Sequence, residues 1–307
     1  MRTPKLLSGY AAITFSMLFW GISFVWTKSL LNGGFPVCTI VFLRLVIASI
    51  LFYTLFKAGR KIEKIRRGDR MLFVALAFFE PFLYFIGEDF GLQYVDASFA
   101  ALVIALIPIV VSVCMHFVEG ESLDCNFFAG ALLSVAGLFV MSFGGGAYAR
   151  FSLKGFSLLM LAVVAAGGYS IVLNRLLKNY GPATVTTFQN MLAIPFYLVL
   201  VCIFDLHQWH GLAWNVQTVS SLVCLAVFCS AGAYMCYAYA AKIISVTKVS
   251  IFANAIPIVT LFCAALVGQE SITWQKLAGV VIVVAGVILS QLKGKPFRNH
   301  ADNKALN

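Results

Sequence analysis

One long segment of this chain occurs twice. The residues from Ser98 to Gly137 return without a gap 149 positions later as Thr247 to Gly286. Identical residues in the two copies include Pro108 and Pro257, Glu121 and Glu270, Ser122 and Ser271, Gly130 and Gly279, and Gly137 and Gly286. Each copy is apolar enough to cross a bilayer twice, so the fold must be one that two copies of a membrane unit can build. Duplicated membrane halves are typical of carriers, which place substrate at the interface between the repeats.

The composition indicates an integral membrane protein. Apolar residues make up 61% of the chain, charged residues only 11%, and the mean hydropathy is +0.94, whereas soluble domains contain about 25% charged residues. In windows of about 20 residues, the length of a membrane-crossing helix, the sequence predicts ten spans. Their limits are 8–28, 36–56, 71–92, 97–118, 127–145, 155–177, 183–204, 219–241, 246–267 and 276–292.

Ten spans divide into two halves of five, at residues 8–145 and 155–292, followed by a polar tail at 293–307. Because five is odd, the second half enters the membrane from the opposite side, which makes an inverted repeat. The first spans of the halves agree more weakly, with Ser23, Lys28, Asn32 and Pro36 facing Ser170, Arg175, Asn179 and Pro182. The predicted fold class is therefore all-α integral membrane, with ten transmembrane helices in two inverted five-helix repeats.

The basic residues between spans predict the orientation. Lys and Arg in short loops are retained in the cytoplasm. If the N-terminus is cytoplasmic, sixteen basic residues lie in cytoplasmic segments and four outside, namely Lys28, Arg150, Lys154 and Lys276. The sequence thus predicts a multi-pass protein of the bacterial inner membrane with both termini and the 293–307 tail in the cytoplasm. Its net charge of +10 fits this topology and contact with anionic lipid, and no folded domain remains to bind nucleic acid.

Several motifs together resemble the EamA type of the drug/metabolite transporter superfamily. They are Trp20-Gly21 in the first span, Phe42-Leu43-Arg44 in the second, Pro108 and Pro257, Glu121 and Glu270, and the glycine-spaced last span of each half. The resemblance covers about 285 of the 307 residues. It implies a ten-helix carrier that works by alternating access, with both termini in the cytoplasm. Many relatives export amino acids or other small metabolites, and the resemblance leaves the substrate open.

Charged residues inside spans are the strongest functional candidates, because a charge at the centre of a membrane helix costs about 2.5–3.5 kcal/mol. They are Arg44 in span 2 and Glu80, Glu88 and Asp89 in span 3. Glu80, Tyr84 and Glu88 are spaced four apart and share one side of a helix.

Two interpretations of these charges stay open. Arg44 either binds a substrate carboxylate through two parallel hydrogen bonds or forms a structural ion pair with a glutamate that joins spans 2 and 3. Glu80, Glu88 and Asp89 are candidates for proton coupling. Glu80 precedes Pro81, which favours a kink because proline cannot donate a backbone hydrogen bond.

Spans 4 and 9 carry corresponding stripes. Thr247, Ser250 and Asn254 form a polar stripe, and Ser98 begins the matching stripe of small residues. We expect both stripes to face inward, and the alternative is packing between helices. The predicted hinges are Pro81, Pro108, Pro257 and the pair Gly167 and Gly168.

Aromatic and polar side chains complete the predicted pocket between spans 1, 3, 4, 6, 8 and 9. The whole predicted substrate-binding set is Trp20, Ser23, Arg44, Tyr84, Glu88, Ser98, Tyr169, Asn174, Tyr234, Tyr237 and Asn254. Arginine, carboxylates and tyrosines together suit a zwitterion better than a polyanion. Plain packing of the aromatic rings is the alternative.

Two features predict structural roles. Gly130, Gly137 and Gly144 in span 5, and Gly279 and Gly286 in span 10, recur every seven residues and allow close helix contact. Glu121 and Glu270 stand just before spans 5 and 10, where a carboxylate favours a helix N-terminus, and we expect them to cap helices or to form structural ion pairs.

Catalytic motifs are lacking, and we predict neither enzyme activity nor a cofactor. Asp205, His207 and His210 form a DxHxxH cluster without further ligands nearby, and we predict no metal site. The predicted function is a secondary transporter that exports a small amphipathic or zwitterionic metabolite, such as an amino acid. The alternatives are a membrane scaffold or sensor, and an integral membrane enzyme. The expected partners are a small-molecule substrate and the lipid bilayer, and the expected state is a monomer or weak dimer.

The topology is testable with single cysteines on a cysteine-free background. We expect an impermeant maleimide added outside cells to label position 217 and to spare position 64. In the predicted topology the loop at 205–218 faces outside, whereas the basic loop from Lys57 to Arg70 faces the cytoplasm. Labelling of position 64 from outside would contradict the ten-span topology.

Overall fold

The structure is a computed structural model that describes residues 3–120, 123–143 and 152–292. Ten helices account for nearly all of these residues. In chain order they are α1 (Thr3–Asn32), α2 (Val37–Ala58), α3 (Arg67–Gly91), α4 (Ala97–Val118), α5 (Cys125–Phe143), α6 (Leu153–Asn179), α7 (Pro182–Trp209), α8 (Val216–Ile244), α9 (Val246–Leu266) and α10 (Trp274–Gln291). The predicted tail at 293–307 lies outside the described residues.

The helices have the length and composition of membrane spans. Among the described residues, nine are long and apolar enough to cross a bilayer, and α5 contains a shorter apolar stretch, Cys125–Met141. The predicted all-α membrane fold is confirmed. We call the membrane face at which α1 begins the N-terminal face and the other one the opposite face.

Helix packing follows the two-fold pattern of an inverted repeat. Helix α1 packs against α8 and α9, and its counterpart α6 packs against α3 and α4. The pairs α2 and α7, α4 and α9, and α5 and α10 each join a helix to its counterpart. Each of these contacts thus has a mate in the other half or joins a helix to its own counterpart, as expected when two copies of one unit pack in opposite directions.

Glycines of α5 and α10 bring these two helices into backbone contact, and we call Gly130, Gly137, Gly279 and Gly286 the glycine seam. A methyl group at Gly130 would lie 2.3 Å from the carbonyl oxygen of Gly286, and one at Gly137 would lie 2.8 Å from the backbone nitrogen of Val283. Only glycine permits this approach. The predicted seam residue Gly144 lies outside the described residues.

Four helices are irregular near the middle of the membrane. Helix α3 is irregular at Phe78–Leu83, which includes Pro81, and α8 has a π-helical segment at Leu225–Ala233. The first half of α4 ends at Ile104, just before Pro108, and α9 has a 3₁₀ turn at Ile251–Asn254, just before Pro257. The predicted hinge prolines therefore stand next to interruptions of the regular helix in both repeats.

Neighbouring side chains bind the carbonyl groups of these irregular segments. Tyr197 donates its hydroxyl to the Phe82 carbonyl at 2.9 Å, and Asn190 Nδ2 donates to the Ser230 carbonyl at 2.9 Å. Irregular backbone is tolerated at membrane depth only where protein or water satisfies it. Polar side chains of α7 therefore stabilise the irregular parts of α3 and α8.

Carboxylates from one repeat cap helices of the other. The backbone nitrogens of Ser98, Thr39 and Gly181 donate to Glu270 at 2.9 Å, Asp205 at 2.7 Å and Glu63 at 2.8 Å, respectively. Each carboxylate faces the positive end of a helix dipole.

Glu270 forms an ion pair with Lys276 in the first turn of its own helix α10, but the helix that it caps is α4. Thr273 is the N-cap residue of α10, and its hydroxyl accepts from the backbone nitrogen of Lys276. Glu270 accepts from the backbone nitrogen and the hydroxyl of Ser98 at the start of α4. Tertiary packing brings the free N-terminus of α4 to this carboxylate. Burial, together with Glu270, raises the pKa of the neighbouring Asp96. Glu121 lies outside the described residues.

The seam predicts a large effect of a single methyl group. Gly130→Ala should destabilise the protein by about 1–3 kcal/mol, the usual range for overpacking, because the new carbon meets the α10 backbone. Gly211→Ala is the matched control, since nothing lies within 4 Å of the added carbon. Thermal unfolding in detergent measures both. Equal melting temperatures for the two variants would refute the seam as a close contact.

Candidate functional site

A small cavity lies at the centre of the helix bundle. Residues of α1, α2, α3, α4, α6, α8 and α9 line it. Its open volume is about 40 Å³, measured as room for the centre of a water molecule, and one water needs roughly 10–15 Å³ by this measure. The cavity thus has room for a few waters, and a metabolite would require the lining side chains to move apart.

Aromatic rings form one wall of this cavity. The ring of Trp20 on α1 lies 5.2 Å from the rings of Tyr234 and Tyr237 on α8. Tyr84 on α3 and Tyr169 on α6 line the cavity from the other side. Such rings offer apolar faces that can also attract a cation.

Glu80 lies in the irregular part of α3. Its backbone has φ −149° and ψ 120°, outside the helical region, and its side chain lines the cavity. Tyr234 donates its hydroxyl to Glu80 Oε1 at 2.7 Å. Glu80 is only 5% exposed, so this hydrogen bond joins α3 to α8 in a buried environment.

Arg44 brings a buried guanidinium to the cavity from α2. Its Nε donates to the Ser230 hydroxyl at 2.7 Å, and its Cζ lies 4.2 Å from the centre of the Phe85 ring. The acidic group paired with it is Asp89, with Nη1 3.8 Å from Oδ2. The predicted structural ion pair with a glutamate is therefore replaced by a long contact with an aspartate, whose carboxylate oxygens have no hydrogen-bond partner among the described residues.

The buried charges around the cavity do not balance. Arg44 carries one positive charge, whereas Glu80, Glu88 and Asp89 carry up to three negative charges, and all four side chains are at most 5% exposed. Uncompensated charge in a low-dielectric interior is strongly unfavourable. Bound protons or a cationic ligand group would offset the excess of negative charge.

The structure brings most of the predicted site residues together. Trp20, Ser23, Arg44, Glu80, Tyr84, Glu88, Tyr169, Tyr234 and Tyr237 all line the cavity. They come from five helices of both repeats.

Four predicted residues are not among those that line the cavity. Ser98 is at the end of α4, bound to Glu270. Asp89 is fully buried beside Arg44, and Asn174 lies one turn beyond Ser170 on α6. Asn254 is buried, and neither amide atom has a hydrogen-bond partner in the described part of the chain. The 3₁₀ turn changes the rotation per residue, so Ser250 and Ala253 line the cavity in its place.

The two predicted hinge glycines on α6 allow close helix packing. A methyl group at Gly167 would lie 2.8 Å from Val110 on α4, and one at Gly168 would lie 2.6 Å from the Phe79 ring on α3. Both glycines therefore permit α6 to approach its two neighbours.

Sequence reasoning missed the amides of α7. Gln189 accepts from the Tyr169 hydroxyl at 3.3 Å, and Asn190 supports the Ser230 backbone next to Arg44. Both are at most 1% exposed. Adjacent amides in an apolar segment were a visible signal, since buried polar residues in membranes are usually functional.

The His210 side chain of the DxHxxH cluster lies outside the described part of the structure, and no group of three or more potential metal ligands occurs within the described part. Asp205 accepts from the backbone and hydroxyl of Thr39 at the start of α2. Its carboxylate is therefore engaged with a helix end.

Comparison with known proteins agrees with the geometry. The model of the EamA-like transporter family matches residues 7–143 and 153–292. An uncharacterized transporter of Archaeoglobus fulgidus is 26% identical over 91% of this chain and 97% of its own length. The uncharacterized transporter YcxC of Bacillus subtilis is 27% identical over 95% and 94%.

A solved crystal structure with 18% identity has the same fold, with a TM-score of 0.69 over 95% of this chain and 98% of that one. The predicted resemblance to EamA-type transporters is confirmed by the two family matches, which together cover nearly the whole chain. The protein is a multi-pass membrane transporter, and it belongs to the EamA-like transporter family.

Proposed function

We propose that this protein is a secondary transporter that exports a small amphipathic or zwitterionic metabolite, such as an amino acid, by alternating access. The observation that carries this proposal is the central cavity, where a buried guanidinium and two glutamates face a wall of aromatic rings. No catalytic role is part of the proposal.

The chemistry of the lining suits a molecule with two charged ends. A guanidinium binds a carboxylate through parallel hydrogen bonds, and Arg44 already uses its Nε for Ser230, which leaves its Nη groups for a ligand. Glu80 and Glu88 suit an ammonium group, and the positive charge of that group would offset the excess of negative charge. The rings of Trp20 and the tyrosines suit an apolar substituent.

The small volume supports a cycle of opening and closing. A cavity of about 40 Å³ is too small for an amino acid, so binding requires the surrounding helices to separate. The interruptions near Pro81, Pro108 and Pro257 allow bends at mid-membrane. We propose these sites, with Gly167 and Gly168 as contact points, as the places where the helices move.

The orientation and assembly follow from the sequence. We propose two functional repeats at 8–145 and 155–292, both termini and the 293–307 tail in the cytoplasm, and residence in a bacterial inner membrane, supported by the basic loops. Residues of a single chain line the cavity, which supports a monomer or weak dimer.

The proposal is tested by ligand screening followed by exchange. Purified protein is heated with single metabolites, and a ligand at 100 times its Kd raises the stability by about 2.7 kcal/mol. Hits are then tested for counterflow in proteoliposomes. Amino acids should stabilise the protein more than their decarboxylated or deaminated analogues. A protein that exchanges no stabilising ligand would instead be a scaffold or sensor.

Glu88→Gln separates substrate recognition from proton coupling. If Glu88 binds the ammonium group, the variant should lose roughly 1.5–3 kcal/mol of binding free energy, the range for a charge-assisted hydrogen bond. If it carries the proton, binding and counterflow should persist and only flux driven by a pH gradient should fail.

All three quantities are measured on one proteoliposome preparation. Glu63→Gln is the matched control, because Glu63 caps α7 at the N-terminal face, away from the cavity. Wild-type values for Glu88→Gln in all three measurements would remove Glu88 from both roles.

A further inference from the structure

Two lysines, one at each face of the molecule, join the same two groups of helices around the cavity. The cavity wall contains one group formed by α1, α8 and α9 and another formed by α3, α4 and α6, and each helix packs within its group. Lys28 on α1 and Lys242 on α8 belong to the first group, and both donate to the ends of helices in the second group.

We propose that Lys28 and Lys242 act as latches that close the cavity toward the opposite face and toward the N-terminal face, respectively. This inference rests on the alternating access of the proposed function, which requires the two ends to open one at a time. The structure has both contacts formed, in agreement with its small cavity.

At the opposite face, Lys28 binds the chain just after α3. Its Nζ donates to the carbonyls of Leu92 at 2.7 Å and Val95 at 2.8 Å. The last carbonyls of a helix lack partners within the helix and attract positive charge. Lys276, 3.5 Å from Asp96, adds a second contact to the same connection between α3 and α4.

At the N-terminal face, Lys242 binds the end of α6. It lies in the last turn of α8, and its Nζ donates to the Tyr180 carbonyl at 2.7 Å. Tyr180 is the C-cap residue of α6, and its hydroxyl donates to Asp69 at 2.7 Å. The latch therefore joins α8 to a helix end that is itself fixed to the start of α3.

The two latches occupy equivalent places in the inverted repeats. In the inverted repeats α6 corresponds to α1, and α8 corresponds to α3. The contact between α1 and α3 at the opposite face is therefore equivalent to the contact between α6 and α8 at the N-terminal face. The lysine comes from α1 in one contact and from α8 in the other, so the two lysines do not align in sequence. The residue that aligns with Lys28 is Arg175, which is exposed.

Both contacts can be broken without leaving a charge in the hydrocarbon. Lys28 is partly exposed and Lys242 is exposed, so water can replace the carbonyl oxygens at the membrane face. A buried ion pair would resist such release, because breaking it leaves an uncompensated charge.

A cysteine in the cavity reports which end is open. Ser23 lines the cavity and donates only to the Trp20 carbonyl of its own helix among the hydrogen bonds described for it, so Ser23→Cys on a cysteine-free background is a mild change. The rate of labelling by an impermeant maleimide is measured from each face, in right-side-out and inside-out vesicles, without any substrate.

We expect Lys28→Gln to raise the labelling rate at least tenfold from the opposite face only, and Lys242→Gln to do so from the N-terminal face only. Lys28→Arg should restore the lower rate, and Arg175→Gln, the matched control, should have no effect. Thermal unfolding identifies misfolded variants. If Lys28→Gln does not fold, Lys28→Met tests the same contact.

Unchanged labelling in folded Lys28 and Lys242 variants would overturn the latches, as would an increase from both faces in either variant. The result is independent of transport. If labelling is specific to one face but the wild-type protein exchanges no solute, the latches are supported and the proposed function is refuted. If the wild-type protein transports solute but labelling is unchanged in the variants, the proposed function is supported and the latches are refuted.

Discussion

The bilayer offers no hydrogen bonds to an exposed backbone, and this constraint places the functional site. Regular helix satisfies its own backbone, so irregular segments can lie only where other protein groups or water reach them. In this molecule the irregular parts of α3, α4, α8 and α9 surround one cavity, and side chains such as Tyr197 and Asn190 bind their freed carbonyls. The proposed hinges and the proposed substrate-binding residues therefore lie in the same region of the molecule.

The buried charges make a bound ligand or proton part of the energetics. Arg44 is held by Ser230 and Phe85 but contacts Asp89 only at 3.8 Å. A tight buried ion pair would occupy the hydrogen-bond donors of the guanidinium. The observed contacts instead position the guanidinium and leave its Nη groups able to donate to a ligand. The excess of carboxylates disfavours an anionic ligand and favours one that brings a positive charge.

The packing separates the fixed parts of the molecule from those that can move. Helices α5 and α10 meet with backbone contact at Gly130 and Gly286, where a single methyl group would collide. The wall helices are joined across the two groups by hydrogen bonds from lysines at the membrane faces. Close apolar contact resists sliding, while a polar contact exposed to water can exchange partners at little net cost. A stiff seam beside a releasable wall suits alternating access.

The sequence by itself determined the class of the protein. Apolar content, spans of about 20 residues and the copied segment predicted ten helices in two inverted repeats, and the four-residue spacing of Glu80, Tyr84 and Glu88 placed them on one side of α3. These properties are local, because a helix needs only its own residues to satisfy its backbone and define its faces. The resemblance to EamA-type carriers rested on the order of such local motifs.

Only the tertiary structure decided which residues meet. Glu270 caps α4 in the other repeat, and Lys28 and Lys242 bind helix ends that are far away in sequence. Asn254 is not among the residues that line the cavity, because a 3₁₀ turn breaks the period of 3.6 residues on which the stripe was predicted. A period describes one regular helix, whereas contacts depend on the distances and rotations between helices, which are set by packing across the whole molecule.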